Sequence, residues 1–177
     1  MRASDRAGLG IVTIAYAAGS WTNFAIAAVG AAATLTGLLF VAASINLQRI
    51  LQFPSLPTRV GQTLILFVIP LIIGIFVLIP GQSSAVLAAE LLLTAVLLGG
   101  FQLAITAHSG RSEYETPLTW LLARVFPAVI SCGCLAVAAG TLLARGGGGL
   151  YWLVPSVLSA IAFGLVNTWV LLIEINR

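Results

Sequence analysis

Long apolar runs, separated by short polar or proline- and glycine-rich breaks, set the pattern of this chain. Crossing the hydrocarbon core of a bilayer takes roughly 20 apolar residues in a helix. Five runs meet that length, at about 22–47, 61–79, 85–107, 118–144 and 151–175. The first break, Gln48-Arg49 to Thr58-Arg59, is polar and proline-broken, and the second, Pro80-Gly81-Gln82-Ser83-Ser84, has the composition of a tight turn. The third, His108 to Pro117, holds Arg111, Glu113 and Glu115; the fourth is Arg145 followed by Gly146 to Gly149, where helix does not persist. Barrel strands alternate apolar and polar residues over about ten positions, and these runs do not. The pattern predicts an all-α, polytopic membrane helix bundle: one transmembrane domain over residues 1–177 with about five spans. Before the first span, Arg2 and Arg6 precede the apolar stretch Gly8 to Ala18. That outline resembles a signal peptide, with Ala15-Tyr16-Ala17 as its cleavage site; we read it as a short interfacial helix leading into the first span.

Composition agrees with this picture and narrows it. Of the 177 residues, 60% are hydrophobic and 7% charged, against roughly 45–50% and 25% in soluble domains. One water-soluble core cannot hide that much apolar surface, which excludes a soluble enzyme, and a disordered chain is excluded equally. The net charge of +3 comes from scattered arginines with no lysine. Nothing forms the basic patch that nucleic acid requires, so the partner implied first is the lipid bilayer. Arg49, Arg59, Arg111 and Arg177 fall on one side of a five-span chain, and Arg2, Arg6 and Arg145 on the other. The positive-inside rule then favours the N-terminus outside and the C-terminus inside. Trp21 and Trp152 fall towards one interface, Trp120 and Trp169 towards the other.

Three charges lie within or at the edge of spans: Glu90, Arg124 and Glu174. An ionisable group inside a membrane is a functional candidate by default. Glu90 is about five residues into the third span, roughly 7–8 Å deep at the helical rise, whereas Arg124 lies roughly 9 Å from the opposite edge. They are too far apart to pair. Depth instead matches Arg124 with Glu174, and Glu90 with Arg145. A long arginine stem can snorkel to the headgroups, and the short stem of Glu90 cannot, so Glu90 is the leading candidate.

Small residues recur at helical spacing. Gly30, Thr34, Gly37 and Ser44 share a face of the first span; Gly133, Ala136 and Gly140 share one of the fourth; Ser156, Ala160, Gly164 and Thr168 recur every four residues in the fifth. Such stripes let membrane helices approach closely. Three of them exceed what a monomer needs and favour self-association or another membrane protein as partner. The second span, rich in Ile, Leu, Val and Phe, is expected to face lipid. The first span is also the most polar, and a ring of such helices would line a narrow pathway edged by Asn46, Gln48 and Arg49. Hydroxyls bonded to the backbone one turn back are the plainer explanation of that polarity.

Pro70 and Pro127 are expected to kink their helices. Gln102 with Thr106, and Asn167 with Thr168, are expected to bond between helices. Cys132 and Cys134, two apart on a helix, point about 200° apart and read as packing residues. No HExxH, G-x-S-x-G, Walker or Rossmann pattern occurs. His108, Glu113 and Glu115 match no metal-ligand spacing, so no catalytic centre, metal or cofactor is expected.

The stretch from Gly30 to Leu51, GAAATLTGLLFVAASINLQRIL, together with Leu78-Ile-Pro-Gly-Gln82, resembles small uncharacterised multi-pass membrane proteins of bacteria. Some of these are grouped as modulators of a membrane AAA protease. The resemblance covers about twenty residues of the first span plus that short run. It implies the bacterial cytoplasmic membrane and a regulatory role, and it carries no functional residues across. Two readings follow: a homo-oligomer whose first span lines an ion or small-solute pore, or a non-conducting accessory or regulatory subunit of a larger membrane complex.

Overall fold

A computed structural model of the protein describes residues 14–53, 56–108 and 125–176, the last three by backbone alone. A 3-10 turn, Ala18–Trp21, leads into α1 (Thr22–Ile45), followed by a short α2 (Leu47–Gln52), α3 (Leu56–Leu78), α4 (Ser84–His108) and α5 (Phe126–Ala144). A second 3-10 turn, Gly149–Trp152, opens α6 (Leu153–Asn176). The described residues contain no strand. Five helices are long and apolar enough to cross a membrane, α2 being the exception. The protein is a multi-pass, all-α membrane protein. The expected N-terminal interfacial helix lies mostly outside the described residues.

The boundaries differ from the apolar pattern where proline is involved. The third helix starts at Leu56 rather than 61, because Pro57 falls in its first turn, where a missing N–H breaks no helical bond. The predicted start of the fourth span, near 118, lies outside the described residues, and Pro127 stands in the first turn of what is described of α5. Pro70 is different: it is buried within α3 and removes one backbone donor there.

Helices α3, α4, α5 and α6 form a ring of neighbours, each packed against the next, and α1 packs chiefly against α3. With three principal neighbours, α3 is the most enclosed of the five spans, and Leu66, Phe67, Ile69 and Ile73 are almost fully buried. The expectation that this span faces lipid is therefore wrong. Lipid tails are as apolar as leucine, so apolarity does not sort a membrane helix inward or outward. Side-chain size does. The bulky residues of α3 fill the centre, while small residues on its neighbours, and Gly74 on α3 itself, let the backbones come close.

Two contacts carry this packing. A Cβ on Gly164 of α6 would strike the Phe67 ring, with Cδ1 and Cζ at 2.9 Å. On α3, a Cβ at Gly74 would run into the Val29 side chain and lie 3.0 Å from the Ala25 carbonyl oxygen of α1. The fifth-span stripe is accordingly spent inside the monomer, with Ser156, Ala160 and Gly164 all buried. Gly30 and Gly37 on α1, and Gly133 and Gly140 on α5, have nothing near a would-be Cβ among the described residues.

At one end the chain closes on itself. Trp21 stacks edge-on against Phe24 and Tyr151, with ring centroids 5.6 and 4.9 Å apart, and its indole N–H donates to the Ile14 carbonyl at 3.0 Å. Gly149 sits at φ +53°, where a Cβ would collide with the Ala15 carbonyl oxygen and with the Tyr16 ring. Trp152, beside it, donates to the Gly147 carbonyl at 2.8 Å.

Replacing Gly164 by leucine is expected to destabilise the protein by about 1–3 kcal/mol, the usual cost of overpacking. Gly30→Leu, at an open position, should leave the monomer's stability unchanged. Thermal or SDS unfolding followed by circular dichroism compares the two.

Candidate functional site

Glu90 lies in the second turn of α4 and holds the one carboxyl side chain among those described. Local sequence places it. Ser83 caps the helix, its hydroxyl accepting the Val86 N–H at 3.3 Å and its carbonyl the Leu87 N–H at 3.0 Å. The residue before the cap, Gln82, is left at the lip of the turn and folds back along the helix. Its amide Nε2 donates to Glu90 Oε2. The other end of the same amide, Oε1, is buried and has no partner among the described residues. One turn on, the Thr94 hydroxyl donates to the Glu90 backbone carbonyl at 2.7 Å.

The pairing of Glu90 with Arg145 does not occur: the described residues show no ion pair between them, and Glu90 meets Gln82 instead. Arg145 ends α5 in a left-handed conformation, φ 51°, and is exposed. Nothing in composition or depth pointed to Gln82, because the contact comes from a turn folding over its own helix. Arg124 and the Glu174 side chain lie outside the described residues.

The hydroxyls of α1 beyond its first turn, and the Asn46 amide at its end, are answered one turn back along the chain. Thr34 donates to Gly30 O at 2.8 Å, Thr36 to Ala32 O at 2.7 Å, Ser44 to Phe40 O at 2.8 Å, and the Asn46 amide to Ala42 O at 2.9 Å. Gly30, Thr34, Gly37 and Ser44 stay exposed along one open face. Gln48 and Arg49 are exposed too, but on α2, which the backbone break at Asn46 separates from α1. The hydroxyl protons of this face thus point at carbonyls, and only oxygen lone pairs look outward.

Two buried polar clusters hold the bundle together. Between α3 and α4, Gln62 Nε2 donates to Thr106 Oγ1 at 2.8 Å, and Gln102 Nε2 reaches the Gln62 carbonyl at 3.4 Å. The interhelical bond expected of Gln102 and Thr106 is present, with Gln62 as a third member. Gln62 escaped notice because it borders the apolar run. Between α5 and α6, Ser156 donates to the Ser131 carbonyl at 2.7 Å and the Ser131 and Ser159 hydroxyls lie 3.0 Å apart. Thr168 turns to its own helix, at Gly164 O. Cys132 and Cys134 are free thiols, and Cys132 rests against Gly99, whose would-be Cβ lies 3.1 Å from the cysteine Cβ. No group of three His, Cys, Asp or Glu among the described residues is placed to hold a metal.

Thr106→Val keeps the shape of the side chain but strips the buried Gln62 amide of its acceptor. The expected loss is about 1–3 kcal/mol, the cost of an orphaned buried donor, read from unfolding in detergent; Gln62→Leu with Thr106→Val together should cost less than the sum of the two. Comparison with protein-family models, curated proteins and solved structures finds no match, so the chain's function rests on its own geometry.

Proposed function

We propose that this protein is a non-catalytic building block of a membrane assembly, self-associating through the open face of α1. The observation that carries this reading is the least enclosed span of the five bearing a row of small residues, Gly30, Thr34, Gly37 and Ser44, on its exposed side. Among the described residues, no side chain lies within 4 Å of a Cβ built on Gly30 or Gly37. Close helix approach is the principal source of association in lipid, and small-xxx-small faces provide it. A second open face, with Gly133 and Gly140, lies on α5, which packs against α4 and α6 while α1 packs against α3. Unlike faces of this kind join head to tail and close into a ring where the rotation between copies permits it.

Within such a ring α1 would line an ion or small-solute pathway. The outward lone pairs of Thr34 and Ser44 favour this use, since their protons are already given to carbonyls. The same face serves equally as the seat of an accessory or regulatory subunit in a larger complex, the role implied by the resemblance of the first span to bacterial protease modulators. We place the protein in the bacterial cytoplasmic membrane with its N-terminus outside, on the arginine distribution.

Native mass spectrometry of the protein purified alone in nanodiscs is expected to give one defined oligomer. Gly30→Leu with Gly37→Leu should dissociate it while leaving helix content unchanged. A wild-type monomer would remove the self-association reading. Ion flux into proteoliposomes then separates pore from subunit: the double variant should abolish flux in the first case, and wild type should show none in the second.

A further inference from the structure

Ala15-Tyr16-Ala17 has the small-x-small spacing after which signal peptidases cut, and an apolar stretch with two arginines ahead of it precedes the site. Hydrolysis there would break the amide between Ala17 and Ala18. Water supplies the hydroxyl of the new Ala17 carboxyl group and a proton to the new Ala18 amine. A peptidase asks three things of such a bond. The small side chains must enter its pockets, the backbone must leave the contacts it makes in its own protein, and the scissile carbonyl oxygen must be free for an oxyanion hole.

The folded molecule withholds all three. Ala15, one of the two small side chains, is 4% exposed. Gly149, at φ +53° and without a side chain, lets the α5–α6 turn settle onto the Ala15 carbonyl oxygen and the Tyr16 ring; a Cβ there would stand 2.8 and 2.9 Å from two ring carbons of Tyr16. The scissile carbonyl, that of Ala17, accepts the Ser20 N–H at 3.0 Å, and the Ala17 N–H turns back to the Ile14 carbonyl at 3.4 Å. Trp21 holds that same Ile14 carbonyl through its indole N–H, and is itself buried, edge-on to Tyr151.

We propose that Ala15-Tyr16-Ala17 is a cryptic cleavage site, shut by the α5–α6 turn and opened to a signal peptidase when that turn lifts away. The hydrogen bonds between residues 14 and 21 are local and tie up the scissile carbonyl. The contacts of Gly149 and Tyr151 come from the other end of the sequence and bury the small side chain. Cutting of a transiently opened segment follows the population of the open form, so loss of residues 1–17 measures how firmly the turn is seated. The partner is a peptidase with pockets for two small side chains, working at a membrane surface. The orientation proposed above places this corner on the outer face; the cleavage itself does not rest on it.

In detergent micelles both ends of the protein are accessible, so the test is independent of orientation. The purified protein is incubated with purified bacterial signal peptidase and followed by intact mass spectrometry. Wild type is expected to keep residues 1–17. Gly149→Leu, whose side chain must displace Ala15 and Tyr16, should lose them faster by about tenfold or more at unchanged helix content by circular dichroism. Adding Ala17→Leu to that variant should stop the loss. Tyr151→Ala, which takes the ring away from Trp21 and leaves the glycine alone, should show the same gain and stands in should Gly149→Leu fail to fold. Wild type already shortened, or cut as fast as Gly149→Leu, would overturn the proposal. So would both opened variants staying whole, or a loss that Ala17→Leu does not stop.

Discussion

Close approach of helix backbones around α3 is the constraint on which this structure depends. In water, burying the apolar face of a helix is itself the driving force; within a bilayer that force is absent between helices, and stability comes from fitted packing and interhelical hydrogen bonds. The Phe67 ring over Gly164 and the Val29 side chain over Gly74 are the places where two neighbours reach α3. They fix α6 and α1 relative to one helix; the serine cluster of α5 and α6, the Gln62–Thr106 bond of α3 and α4, and Cys132 of α5 against Gly99 of α4 then fix the other three sides of the ring.

The number of spans and the class of fold were legible in the sequence because length and apolarity are what a bilayer requires of a helix. Boundaries were legible where glycine clusters, as at Gly146 to Gly149, and less so near Pro57, which a first helical turn accommodates. The inward or outward sense of each span was not legible. An Ile-, Leu- and Phe-rich helix reads as lipid-facing by a rule drawn from chemistry, and it lies at the centre by a rule of volume. The same distinction splits the small-residue stripes: that of α6 is consumed by contact with Phe67, whereas that of α1 is left open, and the spacing of the residues is alike in both.

The candidate site was half legible. Glu90 stands out in any reading because a short acidic side chain in an apolar run must find a partner. Depth along the membrane suggested Arg145, since depth is all that the sequence supplies. The partner is Gln82, eight positions away in a turn whose direction is set by the Ser83 cap. Hydroxyl-rich α1 shows the converse. Its polarity invites a functional reading, yet Thr34, Thr36 and Ser44 each bond one turn back, so the polar character of the span is met within the span itself.

The seat of the N-terminal segment has a consequence for biogenesis. Trp21, Ala15 and Tyr16 rest on Tyr151 and Gly149, residues made some 130 positions later. During synthesis the first span enters the membrane with nothing to lean on at that end. Its entry segment meets α3 first and gains its second resting place when the α5–α6 turn arrives. The segment that leads into the first span is thus completed only after four of the five spans have been made, and quality control that inspects this corner would be inspecting their assembly.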